Sequence, residues 1–159
     1  MIETIVADLN SSDHCSDIVR LLDAYAGDIM GGGESLSEFT KANLASELDK
    51  RHGCIVFLTY VEQEAVALAI CFEGFSTFAC RPILNIHEQM VDREYRGQGL
   101  SVGLLNKAEA VAKEKGCCKM TLEVLEGNHR AAKIYRTFGF CPYELKSEMG
   151  QAMFYEKKL

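Results

Sequence analysis

Val91-Asp92-Arg93-Glu94-Tyr95-Arg96-Gly97-Gln98-Gly99-Leu100-Ser101 is the stretch that decides the fold, because an apolar strand ends in it and two glycines lead into a helix. Glycines at 97 and 99 let the backbone curl and approach a ligand closely. The free amides at the start of the helix, aided by its dipole, favour an anion such as a pyrophosphate. A glycine-rich turn before a helix also serves packing alone, so its surroundings have to decide between the two. There is no Gly-Lys-Ser/Thr for a P-loop and no third glycine at the spacing of a dinucleotide fingerprint, which sets both of those loops aside.

Downstream, Gly99 to Lys115 is helical in pattern, with Leu100, Leu104, Leu105, Ala108, Val111 and Ala112 inward and Lys107, Glu109 and Lys113 outward, and Gly116 caps it. Cys118 to Leu125 reads as a strand. Asn128 opens a short helix that ends at Gly139, and Met153 to Lys157 reads as a final strand. Upstream, Thr4 to Leu9 reads as a strand. Ser12-Asp13 caps a helix carrying Ile18, Leu21, Leu22, Tyr25 and Ile29, which the mobile Gly31-Gly32-Gly33 interrupts. A second helix follows from about Ser37 to Lys50 with Phe39, Leu44 and Leu48 inward. Cys54 to Val61 and Ala65 to Phe75 form a hairpin around Glu62-Gln63-Glu64, and Ile83 to Val91 extends the sheet. The order β-α-α-β-β-β-α-β-α-β-β predicts one α/β domain over residues 1–159, with a mixed sheet and helices on both faces.

The bulk numbers bound the function. A chain of 159 residues with 48% hydrophobic content fits one compact domain. A net charge of -6 argues against nucleic acid as a partner, since phosphate backbones are held through clustered Lys and Arg. Seven cysteines in no repeated spacing fit a reducing cytoplasm rather than a disulfide framework. His14-Cys15 and His52-Gly53-Cys54 bring soft ligands close together, but neither pair is followed by a second at finger-like spacing, so no metal is expected. No run approaches the length of a membrane span, and the N-terminus has no leader pattern.

The glycine loop resembles the Arg/Gln-x-x-Gly-x-Gly/Ala signature of the GNAT superfamily of N-acetyltransferases, with Ser101 in place of the usual Gly or Ala. Asn128, Ala131-Ala132, Tyr135 and Phe138-Gly139-Phe140 resemble the second cofactor segment of that family, and the element order matches it over nearly the whole chain. The resemblance implies the GNAT fold, a mixed and mostly antiparallel sheet. It implies acetyl-coenzyme A as co-substrate, held by Gln89, Met90, Val91, Arg96, Gly97, Gln98, Gly99, Leu100, Ser101, Asn128 and Tyr135, with Lys133 or Arg136 near the outer phosphate. Phe75-Ser76-Thr77-Phe78 and Arg81-Pro82 are similar to the diamine and polyamine branch, which implies a small primary amine as acceptor. The family's frequent pairing through C-terminal strands implies a homodimer, with Ala152-Met153-Phe154-Tyr155 as the edge.

Amide formation from a thioester needs a deprotonated amine, donors for the developing oxyanion and a proton for the departing thiolate. The resemblance gives Tyr135 as the acid, although periodicity alone reads it as a core tyrosine in line with Ala131 and Phe138. Strand parity puts Asn85, His87 and Gln89 on one face and Leu84, Ile86, Glu88 and Met90 on the other, which favours His87 as base; a bulge would exchange the two and favour Glu88. Glu123 is a further candidate for the cleft, and Asp23, Asp28 and Glu34 surround the triple glycine as a lid for a cationic acceptor or as a solvated surface. The competing readings are a protein-amine acetyltransferase and a non-catalytic sensor of acetyl-coenzyme A.

Overall fold

The computed structural model describes residues 1–159. The chain divides into two compact units, Met1–Leu125 and Glu126–Leu159. In chain order the first holds β1 (Ile2–Val6), α1 (Ser12–Ala26), α2 (Glu38–Asp49), β2 (Cys54–Val61), β3 (Glu64–Ser76), β4 (Arg81–Val91), α3 (Leu100–Glu114) and β5 (Met120–Leu122). The second holds α4 (His129–Phe138). The five strands form one sheet in the order β1-β2-β3-β4-β5. Neighbours are antiparallel through β4, and β5 joins β4 in parallel. A parallel partner needs a crossover, and α3 supplies it.

Alternation along the strands sorts the core into two layers. Val56, Leu58, Leu68, Ile70 and Met90 cluster with Ile18 and Leu21 of α1 and Leu48 of α2. The opposite face meets α3, where Thr4 and Thr59 share a hydroxyl bond of 2.9 Å beneath Gly103 and the Gln89 amide group donates to the Ser101 carbonyl at 2.9 Å. Helices therefore cover both faces of a mixed, mostly antiparallel sheet, as the sequence predicts. The side of α3 that packs down carries Leu100, Leu104, Leu105, Ala108 and Ala112, all buried.

Several local expectations are corrected. The cap of α1 is Ser11, whose hydroxyl accepts from the His14 amide, rather than Ser12-Asp13. That helix stops at Ala26, so Ile29 lies outside it and is exposed. Phe39 is 77% exposed instead of inward, because α2 sets only its later turns, with Leu44 and Leu48, against the core. The strand expected over Cys118 to Leu125 shortens to three residues. The expected strand from Met153 to Lys157 does not form, and residues 152–159 carry no regular structure. A strand needs a neighbour for its amides and carbonyls. Beyond α4 the only ladder contact is a single antiparallel bridge between Glu144 and Gln151. The edge that motivated a homodimer is thus absent from the single chain.

Leu68 is fully buried at the centre of the first layer. Leu68→Ala should destabilise the fold by about 2–5 kcal/mol, the usual cost of a leucine-sized cavity in a core that relaxes only partly, and a urea melt followed by circular dichroism checks it.

Candidate active site

The strand β4 decides the geometry. Its register with β3 pairs Ile70 with Glu88 but Cys71 with Ile86, so His87 is an extra residue, a bulge. Before the bulge Asn85 shares a face with Phe72; after it Glu88 shares the same face with Ile70. The strict alternation expected from sequence is therefore replaced. Leu84, Ile86, Gln89 and Val91 face α3, while Asn85, Glu88 and Met90 face the α1/α2 layer. His87, exposed, packs edge-on against Phe72 with ring centroids 5.4 Å apart. The bulge thus keeps both base candidates on the same side.

The second consequence concerns the backbone. β5 pairs with β4 only from Leu84 to Ile86. From His87 to Val91 the edge of β4 away from β3 has no strand partner; successive amides of a strand point to opposite edges, so those of Gln89 and Val91 face the free edge while that of Met90 turns toward β3. Strand pairing stops where the bulge twists the chain.

Past Val91 a single turn, capped by Asp92 through the Glu94 amide, leads into the glycine loop. Gly97 and Gly99 have φ of 90° and 80°, in the left-handed region. Gly99 is the N-cap of α3, with no side-chain cap, and a Cβ added there would meet nothing within 4 Å. Val102 and Gly103 already donate to the Gly99 carbonyl. The first amides of the helix, ahead of them, have no carbonyl one turn back to bond, which is the arrangement a pyrophosphate uses. The Arg96 side chain points back into the protein: Nε donates to the Val91 carbonyl at 3.0 Å and Nη2 to Asp28 at 2.9 Å.

Glu88 is half-buried, and burial pushes its carboxyl up from the usual carboxylate range; nearby His87 opposes that rise and Glu123 adds to it. The Tyr25 hydroxyl on α1 is also pushed up, first by burial and then by the charges of Glu88 and Asp28, with Arg96 opposing. Glu123 therefore does reach the electrostatic field of this site. Asn85 adds an amide that donates to the Thr121 hydroxyl at 3.1 Å. Sequence reasoning missed Tyr25 as part of this cluster, since its helical spacing reads as core.

Of the three acids around the triple glycine, two are committed inside the chain. Asp23 accepts from the Leu36 amide at 2.8 Å and meets Lys41 at 3.2 Å, while Asp28 pairs with Arg96. Glu34 alone is exposed. The glycine run is not a loose tether: Gly33 donates to Ala26 and Asp28, and a Cβ on Gly31 would lie 2.0 Å from the Tyr25 carbonyl oxygen. In the second unit, Asn128 caps α4 through the Ala131 amide at 3.2 Å, and Gly139 ends it with φ of 116°. Tyr135 packs edge-on to Phe140, at 6.0 Å between centroids. Lys133 and Arg136 lie on the same helix and are exposed. No group of three or more His, Cys, Asp or Glu comes together in a metal-holding arrangement, and no helix is long and apolar enough to cross a membrane.

A strand with a bulge, an open edge beyond it and a helix start behind a glycine turn belong to one α/β scaffold. The chain belongs to the Acetyltransferase (GNAT) family, which it matches over residues 18–140. Over 74 residues it is 35% identical to thialysine N-epsilon-acetyltransferase of Bos taurus, covering 46% of this chain and 43% of that protein. Over 49 residues it is 43% identical to a putative [ribosomal protein bS18]-alanine N-acetyltransferase of Bacillus subtilis, covering 31% of this chain and 32% of that one. Both matches span less than half the length of the curated relative. An integron cassette protein from the mobile metagenome of V. cholerae superposes with a TM-score of 0.79 at 19% identity, over 99% of this chain and 92% of that one, which shows the shared fold.

The raised Glu88 carboxyl makes a signed prediction for stability. A carboxyl whose pKa is higher folded than unfolded binds more protons in the native state, so its favourable contribution is complete at acid pH and is lost as pH rises through the folded pKa. Glu88→Gln removes that loss. Its melting temperature relative to the parent should rise as pH increases above the ordinary Glu range, about 4.3, and level off once the raised folded pKa is passed; scanning calorimetry at stepped pH reads it.

Proposed function

We propose that this protein transfers the acetyl group of acetyl-coenzyme A to the primary amine of a small molecule, of diamine or polyamine type, in a reducing cytoplasm where its seven cysteines stay free. The observation that carries the reading is that one strand, β4, bears the candidate base at its bulge, an open backbone edge beyond it, and the uncapped helix start at its end. The name of the cattle relative, thialysine N-epsilon-acetyltransferase, supports an amine acceptor.

Acetyl-coenzyme A supplies an activated thioester when bound. The amides of Gly97 to Ser101 hold its pyrophosphate, and the open edge along Gln89, Met90 and Val91 lies beside the arm, with the Gln89 and Val91 amides donating to the carbonyl oxygen as it gains charge. Ser101 adds a hydroxyl at the helix start. A cationic amine arrives protonated, since an alkylammonium titrates near 10, and Glu88 or His87 takes that proton directly or through water. A carboxyl raised toward neutrality is better matched to this task than an ordinary one. Nitrogen then forms its bond to the acetyl carbon as the carbon–sulfur bond breaks, and Tyr135 gives its hydroxyl proton to the thiolate. Asn128 and the cations Lys133 and Arg136 serve the cofactor in this reading. A protein-amine acceptor is the second reading, favoured by the higher local identity to the bS18-alanine relative.

Thiol release from acetyl-coenzyme A in the presence of polyamines, aminoglycosides, amino acids and peptides tests both readings. Turnover is expected with one amine class, with kcat about 10²-fold lower in Tyr135→Phe and the acid limb of the pH profile displaced in Glu88→Gln. Coenzyme binding without turnover on any amine would defeat the enzyme reading in favour of a sensor.

A further inference from the structure

Arg96 opens the glycine signature, yet both bonds of its guanidinium run into the protein. Nε is bonded to the carbonyl of Val91, the last residue of β4, and Nη2 to Oδ2 of Asp28. The other oxygen of Asp28 accepts from the Met30 amide at 3.1 Å, which starts the short turn Ile29–Gly31. Tyr25 bonds through its hydroxyl to the Met30 carbonyl at 3.4 Å and feels the charge of Glu88. A chain of bonds results, from the end of β4 through Arg96 to Asp28 and through the turn to Tyr25, whose hydroxyl lies within the field of Glu88 on β4. The two charged side chains are mostly shielded, at 32% and 23% exposure. An ion pair so placed is screened less than a surface one and is fixed at both ends by further bonds.

We propose that Asp28 is a positioning residue that couples the two halves of the site. By holding Arg96 against the end of β4 it sets the Gly97–Ser101 amides toward the pyrophosphate, and through the same pair it fastens the 28–34 turn beside Glu88. Coenzyme binding then orders the acceptor side. This rests on the coenzyme reading above. It also replaces the role that charge alone suggests, since a carboxylate already neutralised by Arg96 does little to attract an amine. The pull of the Met30 amide and of Arg96, which holds the Asp28 carboxyl below the usual carboxylate range, keeps the pair charged at neutral pH.

Asp28→Asn separates the two functions of the carboxylate. The amide oxygen can still cap the Met30 amide, so the turn is retained, while the charge that holds Arg96 is gone. The full chain is titrated calorimetrically with coenzyme A, and amide hydrogen exchange is followed over residues 28–34 with and without it. In the parent protein, coenzyme A should slow exchange at Met30 and Gly33. In Asp28→Asn its affinity should fall about 5- to 20-fold, within the ordinary range of coupling between sites, and that protection should vanish. Asp28→Glu should recover part of both, and the unliganded melting temperatures should stay close together. Parent-like affinity in Asp28→Asn, or undiminished protection on binding, overturns the coupling while leaving the enzyme reading intact. Failure of the parent protein to bind coenzyme A defeats the enzyme reading, and the coupling with it.

Discussion

One extra residue in β4 governs the site. Because the period of a strand is two, inserting His87 moves every later side chain to the other face relative to those before it. Without it, Glu88 would share the α3 side with Leu84 and Ile86, where the interior is closed. With it, Glu88 joins Asn85 on the layer beneath α1, and Gln89 turns to hold the first turn of α3. The bulge also ends the ladder to β5 after Ile86. A strand bound on both edges cannot offer backbone donors to a ligand; one released on a single edge can.

The charge pattern follows from that geometry. Burial is the main cause that raises the Glu88 carboxyl, and the surrounding charges have opposing signs: His87 lowers it, Glu123 raises it further. Tyr25, across the layer, is pushed up by the same carboxylate. A protein of net charge -6 therefore leaves a reluctant carboxylate beside its strand bulge, while it commits Asp23 and Asp28 to Lys41 and Arg96. Overall acidity says little about which acids face a substrate; the partners of each one decide.

The glycine loop works through the main chain rather than through its conspicuous arginine. Left-handed φ at 97 and 99 turns the chain sharply into α3, and no side chain caps the helix start at Gly99. Arg96 serves as the anchor of this turn.

Most of the scaffold was legible in the sequence because it depends on local signals. Glycines at 97, 99, 116 and 139 mark turns by the φ they permit, Asn128 marks a helix start by its side-chain acceptor, and the inward leucines and alanines of α3 follow the helical period. What stayed hidden depends on partners distant in the chain. The bulge at His87 is defined only against β3, the pairing of Asp28 with Arg96 spans 68 positions, and the Met153 to Lys157 run, strand-like in composition, forms no strand because no neighbour supplies its hydrogen bonds. The sequence by itself determined the layers, the glycine turn and the family; only the tertiary structure decided which face Glu88 takes and which acids are ion-paired, because register and ion pairing are properties of two segments together and are written in neither one alone.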